Sequence, residues 1–95
     1  MRDIRISDVH FAAASPEDAR SGLVGYVSAI LNGSLRLDGL TLRRAAADGH
    51  LILSFPAHRD GTGRQHFFVR PLDDETRRAI EEQVFQALGF EPTGP

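Results

Sequence analysis

The stretch "LVGYVSAILNGSLRLDGLTL", residues 23–42, decides the fold. Two conformations compete for its first half. Ser15-Pro16 followed by Glu17 and Asp18 is a good helix start, and a helix begun there could run on through Leu31. Gly22 and Gly25 interrupt that run, and Val24, Tyr26, Val27 and Ile30 are residue types that favour strands. Residues 23–31 are therefore read as a strand, and 15–22 as a turn or a short helical turn. Asn32-Gly33 follows at once. Both residue types accept the positive φ of a tight type I′ turn, so the chain reverses there. The returning strand starts at Leu35 and carries Leu37, Leu40 and Leu42. Its apolar phase shifts at Asp38-Gly39, the mark of a bulge or bend.

Upstream, "DIRISDVHFA" (3–12) alternates apolar and polar residues with one break in phase, which predicts a strand with a bulge. Downstream, Asp48-Gly49 predicts a second hairpin turn and "HLILSF" (50–55) a fourth strand. A loop over 56–64 and a fifth strand, "QHFFVR" (65–70), complete the sheet. Asp73 is the expected N-cap, with Asp74 and Glu75 where the helix dipole favours anions. Ile80, Val84, Ala87 and Leu88 make one apolar stripe over 74–88, and Gly89 ends the helix. The expected class is α+β, a five-stranded, mainly antiparallel sheet followed by a C-terminal helix. It forms a single domain over residues 1–90, with 91–95 as a flexible tail.

A chain of 95 residues has a modest core, and oligomerisation is one way to add buried surface. The absence of Cys excludes disulfides, thiolate zinc sites and cysteine nucleophiles. All 11 basic residues are Arg, which excludes a Walker A phosphate loop, Schiff-base chemistry and a lysine general base. No apolar run approaches the roughly 20 residues that span a bilayer. The N-terminus alternates charged and apolar residues, unlike a signal peptide. A cytoplasmic protein without membrane contact is expected.

Charge is polarised along the chain. Residues 1–53 carry six Arg and six acids, residues 54–72 three Arg and one acid, and residues 73–88 two Arg and five acids. The basic stretch is "SFPAHRDGTGRQHFFVRPL", bracketed by Pro56 and Pro71. Catalytic patterns fail within it. Asp60 is followed by Gly61, not by the Thr or Ser of an aspartic-protease turn, and no apolar residues bury its carboxylate. Gly61 and Gly63 open no strand–turn–helix unit, so they make no dinucleotide loop. His10, His50, His58 and His66 lack metal-site spacing. Neither an enzyme nor a bound metal or cofactor is expected.

The order of elements carries a resemblance. "YVSAILNGSLRLDGLTL" followed by "GHLILSFPAHRDGTGRQHFFVRPLDDETRRAIEEQVFQAL" resembles the stage V sporulation protein G (SpoVG) family of septation regulators. Phe55-Pro56, His58-Arg59, Gly63, Arg70-Pro71-Leu72 and the helix from Asp73 stand where that family has, in turn, a strand ending in Met-Pro or a similar pair, a basic loop, a strand ending in His-Pro-Ile and a closing helix. The first strand "IRISDVHF" is also similar, so the resemblance spans roughly residues 4–88. It departs at three cations. The family's loop Lys is His58, a later basic position is His66, and the His before Pro is Arg70. The resemblance implies a dimeric DNA- or RNA-binding regulator.

On that basis the loop 56–66 is the expected contact surface, with Arg59, Arg64, His58, His66 and Arg70 as contact residues. Arg supplies a planar fork for phosphate oxygens. The two histidines add charge only when protonated. Arg77 and Arg78 are expected to face solvent, paired with Glu81 and Glu82. Of the adjacent Phe67 and Phe68, one should face the core and the other solvent or a partner. The alternative is a protein-interaction or scaffold module of the same fold that binds no nucleic acid. The net charge of −2 and the missing lysines favour that alternative.

Overall fold

In a computed structural model that describes residues 3–90, the chain runs β1 (Ile6–Ala13), α1 (Pro16–Ala19), β2 (Leu23–Leu31), β3 (Leu35–Arg44), β4 (Leu51–Ser54), β5 (Ala57–Arg59), β6 (Gln65–Phe67) and α2 (Asp74–Leu88). The 91–95 tail lies outside the described residues. β1 to β4 form an antiparallel meander in sequence order, and β5 and β6 form a separate two-stranded sheet. The class is α+β, as expected.

Local chemistry explains the meander. Asn32 and Gly33 take φ of 50° and 69°, and the Ser34 N–H closes the turn on the Leu31 carbonyl at 3.0 Å. Asn32 also ties down the chain that enters β1. Its side-chain Oδ1 accepts from the Arg5 N–H at 2.7 Å, and its own N–H donates to the Arg5 carbonyl at 2.7 Å. The bulge in β3 falls at Asp38-Gly39, where pairing passes from Val27↔Leu40 to Ala29↔Leu37. The bulge in β1 falls between Ser7 and His10, with Asp8 at φ 50°. The β3–β4 connection is longer than the expected two-residue turn. Ala45 N–H donates to the His50 carbonyl at 2.9 Å, and Gly49 N–H returns to the Ala45 carbonyl at 2.8 Å. The one positive φ in this connection among the described residues is at Gly49, so a type I′ turn is not formed.

α2 closes the core over one face of the meander. Ile80, Val84 and Phe85 pack with Val27, Leu37, Leu40, Leu42, Leu51, Leu53 and Phe55. The expected stripe is corrected at one position. Ala87 is exposed, and Phe85 is buried instead. Asp73 caps the helix by accepting from the Thr76 N–H at 2.9 Å, and Gly89 ends it at φ 73°. α1 is the short helical turn expected after Ser15, whose side chain accepts from the Asp18 N–H.

The expected fifth strand is the main correction. Only residues 65–67 of 65–70 form a strand, and they pair with Ala57–Arg59 rather than with the meander. Pro56 is the physical reason. It follows Phe55 directly, has no N–H for a ladder, and sits against the β3 bulge, where a Cβ on Gly39 would lie 3.3 Å from its ring. The chain leaves the sheet there and returns at Pro71 as a projecting hairpin.

Candidate nucleic-acid interface

The hairpin pairs Ala57↔Phe67, His58↔His66 and Arg59↔Gln65, and the Phe68 N–H adds a bond to the Pro56 carbonyl at 2.9 Å. Its tip is a three-residue loop. Asp60 N–H donates to the Arg64 carbonyl at 2.9 Å, Gly63 N–H donates to the Asp60 carbonyl at 3.0 Å, and Gly63 takes φ 85°. This is a turn closed by a left-handed residue, a position glycine fills without steric cost.

Asp60 organises the tip. Its Oδ1 accepts from the Thr62 hydroxyl at 2.6 Å, the Thr62 N–H at 2.8 Å and the Arg64 N–H at 3.1 Å. Its Oδ2 bonds His66 Nε2 at 2.7 Å. The Thr62 hydroxyl and then His66 are the largest causes that hold the Asp60 carboxyl well below the usual carboxylate range. An ionised carboxylate can only accept, so His66 carries a proton on Nε2. The loop's one carboxylate is thus committed to bonds within the tip. An Asp two residues before Thr and four before Arg is a local turn signal, and that signal could have revealed this role.

The two loop arginines are not equivalent. Arg59 folds over the tip, where its Nη1 donates to the Gly63 carbonyl at 2.9 Å. The Arg64 side chain is exposed and makes no hydrogen bond or ion pair among the described residues. Arg70 lies over the Phe67 ring, with its Cζ 5.4 Å from the centroid. His58 lies between two rings. The His66 centroid is 5.5 Å away at 27°, and the Phe68 centroid is 4.9 Å away at 34°. Alternation along the strands sends His58, His66 and Phe68 to one face of the hairpin and Phe67 to the other. The structure therefore joins His58 to His66, keeps Arg59 and Arg64 at the tip, and leaves Arg70 beside Phe67.

The expectation that one of the adjacent phenylalanines enters the core is corrected. Phe67 is 42% exposed and Phe68 is 70% exposed, because the hairpin stands off the meander. Both rings, not one, face outward. Two clefts lie at the hairpin base. One, of about 360 Å³, is lined by Gln65, Phe67, Arg70, Asp73, Asp74 and Arg77 and mixes both charges. The other, of about 210 Å³, is almost wholly apolar, with Ile4, Leu31, Leu37, Val69, Leu72 and Ile80 among its walls.

Arg77 departs from its expected solvent role. It does lie 3.8 Å from Glu81, but its Nη2 donates to the Leu53 carbonyl at 2.8 Å, at the edge of β4. Among the described residues, no group of three or more His, Asp or Glu side chains could hold a metal ion. No helix among them is long and apolar enough to cross a membrane. A scan against protein-family models returns no match, and a search of curated proteins returns none. The likeness to the septation regulators rests on the order of sequence signals alone.

Proposed function

We propose that the protein is a dimeric nucleic-acid-binding regulator, resembling the SpoVG family, that contacts the DNA or RNA backbone through the loop 56–66. The observation that carries this reading is the state of the loop charges. Arg64 stands exposed and unpartnered among the described residues, next to Arg59, while the loop's one acid is bonded to Thr62, the Arg64 amide and His66. Two guanidinium charges, Arg59 and Arg64, outnumber that one carboxylate, so the local field of the loop is cationic although the chain carries −2 overall. Arg59 already uses one of its N–H groups on Gly63, so it orders the tip and keeps further donors for phosphate.

Homodimerisation belongs to the same reading. The apolar cleft with Leu72, 86% exposed, and Val69, 38% exposed, is where a second copy would add the buried surface a small core lacks. That cleft also favours the second reading, a protein-interaction module without nucleic-acid binding.

Titrating labelled DNA and RNA at several salt concentrations separates the two. The Arg59→Ala, Arg64→Ala double variant should lose affinity, with the salt slope reduced by about one per phosphate contact removed. Equal affinity and an equal slope for parent and variant would overturn backbone contact through this loop. If the parent binds neither polymer, the interaction-module reading takes its place.

A further inference from the structure

The ladder His66–His58–Phe68 has no role in the hydrophobic core, yet its three rings follow one another in a row, the two histidines stacked at 27° and Phe68 tilted 34° to His58. Both centroid separations, 5.5 Å and 4.9 Å, fall in the range of offset-stacked aromatic pairs. Phe68 ends the ladder. One side of its ring is occupied by His58, and the side chain is 70% exposed. We propose that this ladder is a stacking platform for an unpaired base, so that the hairpin selects single-stranded over duplex nucleic acid. The inference deepens the backbone-contact reading and rests on it.

Two observations and one property of duplexes converge on this ligand. An apolar ring held out in solvent offers a flat face to a flat partner, and every nucleobase has one. In a duplex those faces are already stacked on one another, so only an unpaired base can bring its face to Phe68. The ring is also held in place, because His58 is braced on the far side by His66 and His66 is bonded to Asp60. Little side-chain freedom is left to lose on binding.

The charges fit the same polymer. Arg64 lies four residues from Phe68 along the same arm of the hairpin, about 13 Å at the usual strand rise. A strand with one base on Phe68 can carry a neighbouring phosphate to the Arg64 fork. An apolar protein surface would gain nothing from that cation, whereas a polyanion does.

The test uses the full chain, a labelled single strand of about 12 nucleotides, within the usual site sizes, and the duplex of the same sequence. The parent should bind the single strand more tightly than the duplex. Phe68→Leu keeps apolar bulk and removes the π-face. It should weaken single-strand binding about fivefold or more, in line with the loss of one base stack. Duplex binding and the salt slope should stay as in the parent, which also shows that the variant is folded. Phe68→Tyr keeps the ring and should bind as the parent does.

Phe68→Leu binding the single strand like the parent overturns the stacking role and leaves backbone contact standing. So does equal affinity of the parent for strand and duplex. A Phe68→Tyr variant as weak as Phe68→Leu also overturns it, since the ring face is then not what is read. A parent that binds neither nucleic acid removes the underlying reading and this inference together.

Discussion

Glu81 reaches across to β4, where its Oε2 accepts a hydrogen bond from the Leu53 N–H at 3.1 Å, while Arg77 donates to the Leu53 carbonyl at 2.8 Å. The same helix treats the opposite edge of the sheet in the same way. Gln83 Oε1 accepts from the Ile6 N–H at 2.7 Å, and Gln83 Nε2 donates to the Ile4 carbonyl at 2.8 Å. Helical geometry makes this workable. At about 100° per residue, Ile80 and Val84 point at the core with Arg77 and Glu81 on one flank and Gln83 on the other. A single helix thus covers the core and occupies backbone groups at both edges of the meander, which would otherwise invite pairing with another chain.

Glu81→Ala should therefore destabilise the domain by about 1–3 kcal/mol, the usual effect of leaving a buried donor without its acceptor. For a chain of this size each kcal/mol lowers Tm by about 4–8 °C. The neighbouring Glu82→Ala changes an exposed position and should leave Tm nearly unchanged. Thermal unfolding followed by circular dichroism compares the two. Equal, small shifts would show that the Leu53–Glu81 bond contributes nothing.

Gly25 is a second structural requirement. A Cβ there would stand 2.5 Å from the Ala12 carbonyl oxygen and 2.5 Å from the Phe11 ring. The oxygen belongs to the backbone of β1 and cannot move without disturbing the β1–β2 ladder. Gly25→Ala should lower stability by about 1–3 kcal/mol, a range typical of forced overpacking. Urea unfolding measures it, and a midpoint equal to the parent's would mean that β1 moves aside at no cost.

How much of this was legible in the sequence follows from how local each cause is. The Asn32-Gly33 reversal and the Asp38-Gly39 bulge depend on the φ preferences of two residues, so they could be read directly. Asp73 and Gly89 mark the helix ends just as locally, the first through its side-chain acceptor and the second through its positive φ. The detachment of 65–67 was hidden, because Pro56 turns the chain away against a bulge 17 positions earlier. The hairpin partner Ala57-His58-Arg59 has no alternating apolar pattern to announce a strand. Arg77 and Glu81 look like an ordinary i,i+4 surface pair, and nothing local points to Leu53, 24 positions from Arg77. At the site, the charged residues were legible from their clustering. The bonds of the Asp60 carboxylate within the tip and the row of rings are products of the folded hairpin.

The Asp60 network carries a pH signature. Its carboxyl is held below the usual range by the Thr62 hydroxyl and by His66, so the folded pKa is depressed relative to the unfolded chain. A depressed acid contributes stability that is fully present above the ordinary carboxylate pKa of about 3.9 and is lost as pH falls through the folded value. The hairpin tip should therefore stay ordered when ordinary carboxylates are already protonated. NMR titration of the Asp60 carboxyl carbon and the Thr62 amide tests this. A midpoint near 3.9 for both would mean that the Asp60–Thr62 bond is not formed in solution. Asp60→Asn, which keeps an acceptor oxygen but removes the charge, should abolish the acid titration of the Thr62 amide.

Leu72 offers the most direct test of self-association. It is 86% exposed beside an apolar cleft that includes Leu31, Leu37 and Ile80, and no part of the core depends on its side chain. A second copy covering that cleft removes apolar surface from water on both protomers, and a stable interface of this kind exceeds about 1,000 Å² in all. Leu72→Glu would place a charge at the centre of the contact, where its desolvation opposes association. The variant should sediment as a monomer at micromolar concentration with its Tm changed only through the lost dimer contact, while the parent sediments as a dimer. Phe68→Leu, on the face of the hairpin opposite Phe67, should leave the parent's sedimentation unchanged. A parent that sediments as a monomer at these concentrations removes the dimer from the proposed function. A Leu72→Glu variant that remains dimeric moves the interface to another surface.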